Sequence, residues 1–247
     1  MFKTMKALVL REVRYKEADK ILTLLSDTEG KITAKARGAL RKSSKTAAAS
    51  EQLCYSEMTL FFNKGKWTVN EASVIEAFYG LREDISAFSL GCYFAECLEA
   101  LSVEDQPDRE LMQLGLNSLY ALSRRMYPPR QIKAAFELRL MCIAGYAPEL
   151  DTCAVCGNPE PEKPCLGIDN GEICCSGCRK LSPGITVPLC RDSLAAMRYI
   201  ACAPAKQLFS FKIEKEPLKR LSEAAESYLL RKTERRFSTL DYWKKVQ

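Results

Sequence analysis

The sequence contains no histidine, the side chain that enzymes use most often as a general acid or base. Ser-His-Asp and Cys-His relays are therefore excluded, and so is an H-E-x-x-H metal site. No two glycines are spaced as G-x-G, and a P-loop is missing because Trp67 follows Gly65-Lys66. Lys, Cys or carboxylates would have to carry any catalysis, and no paired-acid motif is present. We therefore expect a protein that is not an enzyme.

Long hydrophobic runs are also missing. The apolar run at residues 7–10 ends at Arg11, too early for a signal peptide, and residues 90–101 are interrupted by Glu96 and Glu99. We expect a soluble cytoplasmic protein with no membrane partner. In that reducing compartment, 12 cysteines indicate metal ligands or buried thiols rather than disulfides.

Positive charge is concentrated at the two ends of the chain. The net charge of +6 combines +5 over residues 1–80 and +6 over residues 191–247 with a negative middle. Residues 31–50 contain six cations and no acid, which favours a polyanionic partner over a merely solvated basic loop. Three more cations lie on the first strand and turn. The candidate phosphate contacts are Arg11, Arg14, Lys16, Lys31, Lys35, Arg37, Arg41, Lys42 and Lys45.

The amino-terminal third reads as a small β-barrel. Short runs rich in β-branched and aromatic residues, separated by turn signals, predict strands at residues 5–13, 20–26, 30–37, 55–62 and 67–75. Five short strands in this length suggest an OB-fold, whose face and loops bind single-stranded nucleic acid. Its aromatic residues could stack on bases or fill the core. They are Tyr15, Phe61, Phe62 and Trp67.

Asp84 is a predicted N-cap, and after it the apolar period becomes helical. Helices are predicted from residue 85 and over residues 108–125, 129–145, 191–203 and 217–236. The fold class is therefore α+β multidomain, with a barrel at 1–80, a helical domain at 81–247 and a zinc element at about 150–190. The helix at 129–145 carries an apolar stripe, most simply a core face, beside a basic rim that could hold an acidic peptide with a hydrophobic end. The rim comprises Arg124, Arg125, Arg130, Lys133 and Arg139.

Four cysteines form the sharpest motif. Cys153 and Cys156, then Cys175 and Cys178, make two C-x2-C pairs separated by eighteen residues, which is typical of a structural zinc site. Iron–sulfur ligation and unliganded thiols are the alternatives, and Cys174 competes with Cys175 as the third ligand. Gly157 and Gly177 sit where the knuckle turns favour a residue without a Cβ. A zinc deaminase is excluded because neither pair follows a proline.

Together these features resemble the RecO family of bacterial recombination mediators. The resemblance rests on the order of barrel, basic loop, helices and cysteine knuckle, and on residues 7–11, 17–25, 30–31, 36–39, 136–140, 145–146 and 153–157. It implies a DNA-repair protein that binds single- and double-stranded DNA and anneals complementary strands. It also implies contact with the acidic tail of single-stranded-DNA-binding protein, cooperation with RecR and RecF to load RecA, and association with the nucleoid during repair. Because all four cysteines are present, it implies bound zinc.

A second class fits part of the same pattern. An OB-fold with a zinc knuckle also suits a zinc-stabilised RNA-binding or assembly protein. Competition between single-stranded RNA and DNA for the protein distinguishes the two classes.

Overall fold

The computed structural model describes residues 1–182 and 184–247. It divides into two compact units. The first contains residues 1–124 and 237–247, and the second contains residues 125–236. The barrel thus shares its unit with neighbouring helices, while the division into domains at residue 80 stays a prediction.

Five strands of the first unit close into a barrel. They are β1 (Phe2–Tyr15), β2 (Asp19–Ser26), β3 (Gly30–Ala36), β4 (Tyr55–Asn63) and β5 (Lys66–Glu76). Their order around the barrel is β1-β2-β3-β5-β4, and β4 pairs again with β1. All pairings are antiparallel except β3 with β5. This five-stranded arrangement confirms the predicted OB-fold.

The barrel core follows from the strand period of two, with one interruption. Ala7 and Val9 of β1 face inward with Leu22 and Leu24 of β2. A bulge at Leu10 then shifts the register. Beyond the bulge, Glu12 lies opposite the core residue Leu22 and Arg14 lies opposite Lys20, so Glu12 and Arg14 are on the inner side of the sheet. Arg11, Val13 and Tyr15 face outward.

Helices follow the barrel in both units. They are α1 (Tyr79–Arg82), α2 (Ile85–Leu101), α3 (Arg109–Ser123), α4 (Pro129–Ile143), α5 (Arg191–Cys202), α6 (Lys215–Thr233) and α7 (Ser238–Val246). Asp84 caps α2 by accepting hydrogen bonds from the backbone N–H groups of Ser86 and Ala87, as its position in the sequence indicated. The short α1 and the terminal α7 were not predicted. In the first unit α7 packs on α2, where Phe237 meets Tyr93 edge-on with ring centroids 5.7 Å apart.

The second unit is built around α4. Residues 131–138 of this helix are all buried, and α5 and α6 pack against it. The helix ends where Gly145 takes a φ of +84°, which allows the Tyr146 N–H to reach the Met141 carbonyl at 2.8 Å. A three-stranded sheet that the sequence did not predict supports the cysteine region. Its order is β7-β6-β8, with β6 (Cys165–Gly167), β7 (Ile173–Cys174) and β8 (Thr186–Pro188).

Within the described parts of the chain, no helix combines the length and the apolar character needed to cross a bilayer.

Candidate metal centre and nucleic-acid interface

The structure brings the four predicted cysteine ligands together. The sulfur atoms of Cys153, Cys156, Cys175 and Cys178 all lie within 4.8 Å of one another. Cys156 Sγ and Cys175 Sγ are 3.9 Å apart. Four sulfurs at about 2.3 Å from one ion would be separated by about 3.8 Å at the corners of a tetrahedron. The cluster therefore has the size and the donor set that a tetrahedral metal ion needs.

Backbone hydrogen bonds shape the two knuckles. At the first, Gly157 donates its N–H to the Cys153 carbonyl at 2.8 Å and takes a φ of +72°, so a glycine is favoured there. At the second, Cys178 N–H reaches the Cys175 carbonyl at 3.0 Å. The expectation for Gly177 is corrected, because its φ is not positive and an added Cβ would meet no atom within 4 Å.

Cys175, not Cys174, belongs to the cluster. Cys174 ends β7, where it is buried opposite Cys165 of β6. The Cys175 side chain instead joins the other three thiols, and its backbone N–H points to Cys153 Sγ at 3.4 Å. Successive side chains of extended backbone point to opposite sides, so Cys175, just after the end of β7, points away from the side that Cys174 occupies and towards the other three thiols.

The pKa values of the clustered thiols are consistent with the binding of a cation. Burial opposes ionisation of Cys153, but the backbone N–H groups of Cys156, Cys175 and Val155 outweigh it and lower the pKa of this thiol to about 6. The pKa of Cys178 is raised, first by its hydrogen bond with the Cys175 thiol and then by burial. Four crowded thiols cannot all ionise without a compensating positive charge. A bound metal ion would supply that charge, so the residues fit a metal site.

Three of the predicted DNA-contacting cations are held by the protein itself. Arg11 pairs with the carboxylate of Glu99 on α2 at 2.8 Å, and Lys31 donates to the Glu99 backbone carbonyl at 3.2 Å. Lys35 pairs with Asp19 at 2.8 Å. Its hydrogen bond and that of the Gly38 N–H lower the pKa of Asp19. Neither Glu99 nor Asp19 was predicted from the sequence to be an ion-pair partner of these cations, although Asp19 stands at the start of β2 among basic residues.

The other six cations are exposed, and they form no ion pair with any residue that the structure describes. Arg14 and Lys16 lie at the end of β1 and the following turn, and the rest follow β3. The latter are Arg37, Arg41, Lys42 and Lys45. We call these six residues the basic rim of the barrel. Its role in DNA binding stays a prediction.

Of the four barrel aromatics, Tyr15 and Phe62 are exposed to nearly the same degree, while Phe61 and Trp67 are half-buried, so their neighbours distinguish them better than their exposure does. Tyr15 faces outward, is 42% exposed, and has Lys35 Nζ 5.0 Å from its ring centroid. Phe62 and Trp67 contact each other across β4 and β5 with centroids 4.7 Å apart. Phe61 is half-buried against Phe2. Tyr15 is therefore the aromatic side chain best placed beside cations to stack on a base.

The prediction that Lys133 belongs to an exposed basic rim along α4 is wrong. This side chain is fully buried and ion-paired with Glu137 at 2.7 Å and with Glu226 of α6 at 2.8 Å. Arg139 is half-buried and donates to the carbonyls of Ile200 and Ala203 at the end of α5. Both cations therefore stabilise the second unit instead of facing a partner.

The apolar stripe of α4 is core, so it cannot receive the hydrophobic end of a peptide. Ile132, Phe136 and Leu140 are each fully buried. Three arginines of the predicted set are exposed, namely Arg124, Arg125 and Arg130. Their role in peptide binding stays a prediction.

Comparisons with known proteins agree across the chain. The family model for the recombination protein O N terminal matches residues 1–78, and that for the recombination protein O C terminal matches residues 82–241. A DNA repair protein RecO from Acetivibrio thermocellus is 35% identical over 237 residues, covering 96% of this chain and 94% of that protein. One from Alkaliphilus metalliredigens is 29% identical over 240 residues, covering 96% and 97%.

Proposed function

The chain belongs to the RecO family, and from this premise we propose that it is a DNA-repair and recombination mediator. It binds single- and double-stranded DNA, anneals complementary strands, and helps RecA to load on DNA coated with single-stranded-DNA-binding protein. RecR is its expected partner in loading. None of these steps requires covalent chemistry.

One observation carries the proposal: six cations of the barrel rim are exposed at one end of an OB-fold, with no neutralising acid within ion-pair distance among the described residues. Annealing brings two polyanions together, so their repulsion must be neutralised. Flexible, exposed cations can do so for either strand and for a duplex, since phosphates carry no sequence information.

The zinc site has a structural role in this proposal. Cys153, Cys156, Cys175 and Cys178 would hold the ion, which would provide four metal–sulfur bonds that fix the two knuckles. With all four positions taken by thiolates, no site is left for an activated water.

We test the proposal with strand annealing by wild type and by the double variant Arg37→Ala, Arg41→Ala, using bare DNA and DNA coated with single-stranded-DNA-binding protein. The variant should anneal both substrates more slowly. Lys244→Ala, Lys245→Ala is the matched control, since it removes two exposed cations from α7 of the same unit. Equal rates for all three proteins, or a preference for RNA in competition, would reject the DNA-annealing function.

Contact with the acidic tail of single-stranded-DNA-binding protein remains part of the proposal, with a smaller set of residues. In the second unit Arg125 and Arg130 are exposed, and so is Met126, which follows Arg125 in the sequence and is 54% exposed. Two exposed cations and an exposed apolar residue within six positions suit an acidic peptide with a hydrophobic end. Arg125→Ala, Arg130→Ala should weaken peptide binding and leave binding to bare DNA nearly unchanged. Equal loss of both would contradict this assignment.

A further inference from the structure

A basic cleft lies in the second unit beside the cysteine knuckle. Its volume is about 540 Å³, within the range of ligand sites. Four cations line it, together with Ser176 and an apolar floor of Cys165, Pro188, Leu189 and Cys190. The cations are Lys163, Arg179, Arg191 and Arg220.

The positive charge of this cleft cannot be predicted from the net charge of the surrounding sequence. Residues 151–190 carry a net charge of −2, yet Lys163 and Arg179, two of their three cations, face the cleft. Arg191 comes from the start of α5 and Arg220 from α6. The second knuckle brings Arg179 into place, because it follows Cys178 directly.

Little in the described chain neutralises these cations. Lys163, Arg179 and Arg220 have no ion pair within the described residues. Arg191 has only Glu160, at 3.9 Å, and both side chains are largely in solvent. Such an exposed pair is worth little. Four clustered positive charges repel one another, so a bound anion would relieve that repulsion.

The polar lining fits a nucleic-acid backbone better than a peptide. Lys163, Arg179, Arg191 and Arg220 can only donate hydrogen bonds. Among the described lining side chains the Ser176 hydroxyl is the one good acceptor, since the sulfurs of Cys165 and Cys190 accept only weakly. A phosphodiester backbone offers acceptors, whereas a peptide backbone also presents N–H groups that need acceptors. Arginine forks bind phosphate oxygens in pairs. The apolar floor offers a surface for a sugar or base.

We propose that this cleft binds phosphate groups of a DNA strand, as a second contact in addition to the barrel rim. The inference rests on the proposed function, because it assumes that the chain binds DNA. It gives α6 a direct role in that binding through Arg220.

The test compares two double variants of the full zinc-loaded chain. Arg179→Ala, Arg220→Ala removes two cations from the cleft. Lys180→Ala, Lys219→Ala removes their sequence neighbours, which are exposed and do not line the cleft. Affinity for a fluorescent oligothymidine is measured over a range of salt concentrations. The first variant should reduce the magnitude of the salt slope by about 1.4, from about 0.7 per lost phosphate contact, and the second should leave it unchanged.

Zinc content and the unfolding midpoint establish that each variant is folded. If Arg179→Ala, Arg220→Ala is not, Lys163→Ala, Arg191→Ala takes its place. An unchanged slope in a folded cleft variant overturns the inference, and so does the same loss in the Lys180, Lys219 control.

Three further outcomes separate this inference from its alternatives. If wild type binds the oligothymidine without salt dependence, the proposed function itself fails. If wild type binds with salt dependence and Arg37→Ala, Arg41→Ala lowers the slope but the cleft variant does not, only the cleft assignment fails. A labelled acidic peptide is titrated in parallel. Loss of peptide binding with full retention of DNA binding would make the cleft a peptide site and overturn the inference.

Discussion

Lys133 donates a hydrogen bond from Nζ to Oε1 of Glu137, one turn further along α4, at 2.7 Å, and both side chains are shielded from solvent. Glu226 of α6 approaches the same ammonium group at 2.8 Å. An ammonium ion between two carboxylates is held in the charged state. Burial disfavours that charge, but Glu137 and Glu226 outweigh it and raise the pKa of Lys133. The group therefore joins α4 to α6 inside the second unit.

Removing Lys133 should be strongly destabilising. Lys133→Ala leaves Glu137 buried without its cation, and breaking a buried pair in this way typically costs about 3–5 kcal/mol. Urea denaturation of the full chain measures the loss. Arg130→Ala, an exposed change on the same helix, should stay within about 0.5 kcal/mol of wild type. The pKa of Lys133 is raised in the folded protein, so the contribution of this ion pair to the free energy of unfolding should be constant through neutral pH. It should be lost at alkaline pH, as the pH rises through the raised pKa of Lys133. A small loss for Lys133→Ala would contradict this role.

The proposed zinc site predicts that single cysteine variants bind less zinc than the wild-type protein. Cys156→Ser removes one of four sulfur ligands, so the purified protein should fall from one zinc per chain to nearly none, and residues 150–190 should become sensitive to protease. Atomic emission spectrometry and limited digestion measure the two effects. Cys202→Ser is the control, since this exposed thiol at the end of α5 lies outside the cluster. Zinc should also leave wild type as the pH falls, because the ligands must be thiolates. Full retention of zinc by Cys156→Ser would reject the assignment.

Asp19 holds Lys35, a predicted DNA contact outside the barrel rim, and neutralising Asp19 should strengthen DNA binding. One carboxylate oxygen pairs with Lys35 and the other accepts the N–H of Gly38, where the basic loop begins. Asp19→Asn keeps an acceptor for Gly38 but frees Lys35 for phosphate. We expect tighter binding of single-stranded DNA and a salt slope steeper by about 0.7, one added contact.

Asp27→Asn provides the matched control for Asp19→Asn. It removes the same charge just beyond the other end of β2, where Asp27 accepts a hydrogen bond from the Lys6 N–H. DNA affinity and slope should stay at the wild-type values. Weaker binding by Asp19→Asn would show that the ion pair positions Lys35 for DNA rather than withholding it.

The barrel could be predicted almost residue by residue because strand alternation is a local signal. Each predicted strand overlaps its observed counterpart, and the predicted five-stranded OB-fold is confirmed. The bulge at Leu10 could not be anticipated, since nothing local marks the residue at which β1 changes register. The strands β6, β7 and β8 have only two or three residues each, too few to show a period.

Side-chain partners were harder to predict than elements. Periodicity correctly placed Lys133 on a helix beside apolar residues. Glu137 is four positions away, but the second partner, Glu226, which joins α4 to α6, is 93 positions away. The same distance problem concealed the cleft, where cations from four segments meet. The C-x2-C spacing, in contrast, identified all four clustered thiols, because the two knuckles are themselves local structures.

Tyr15 should contribute to DNA binding through its ring. The side chain is 42% exposed, and Lys35 and Lys16 lie over the ring with Nζ 5.0 Å and 5.6 Å from its centroid. Base stacking on such a ring is worth about 1–3 kcal/mol, so Tyr15→Ala should weaken single-stranded DNA binding about tenfold, whereas Tyr15→Phe should retain it. Fluorescence anisotropy measures both. Phe62→Ala is the contrasting variant: because Phe62 packs on Trp67, its loss should lower the unfolding midpoint more than the affinity. If Tyr15→Ala binds DNA like wild type, phosphate contacts alone hold the strand on the barrel.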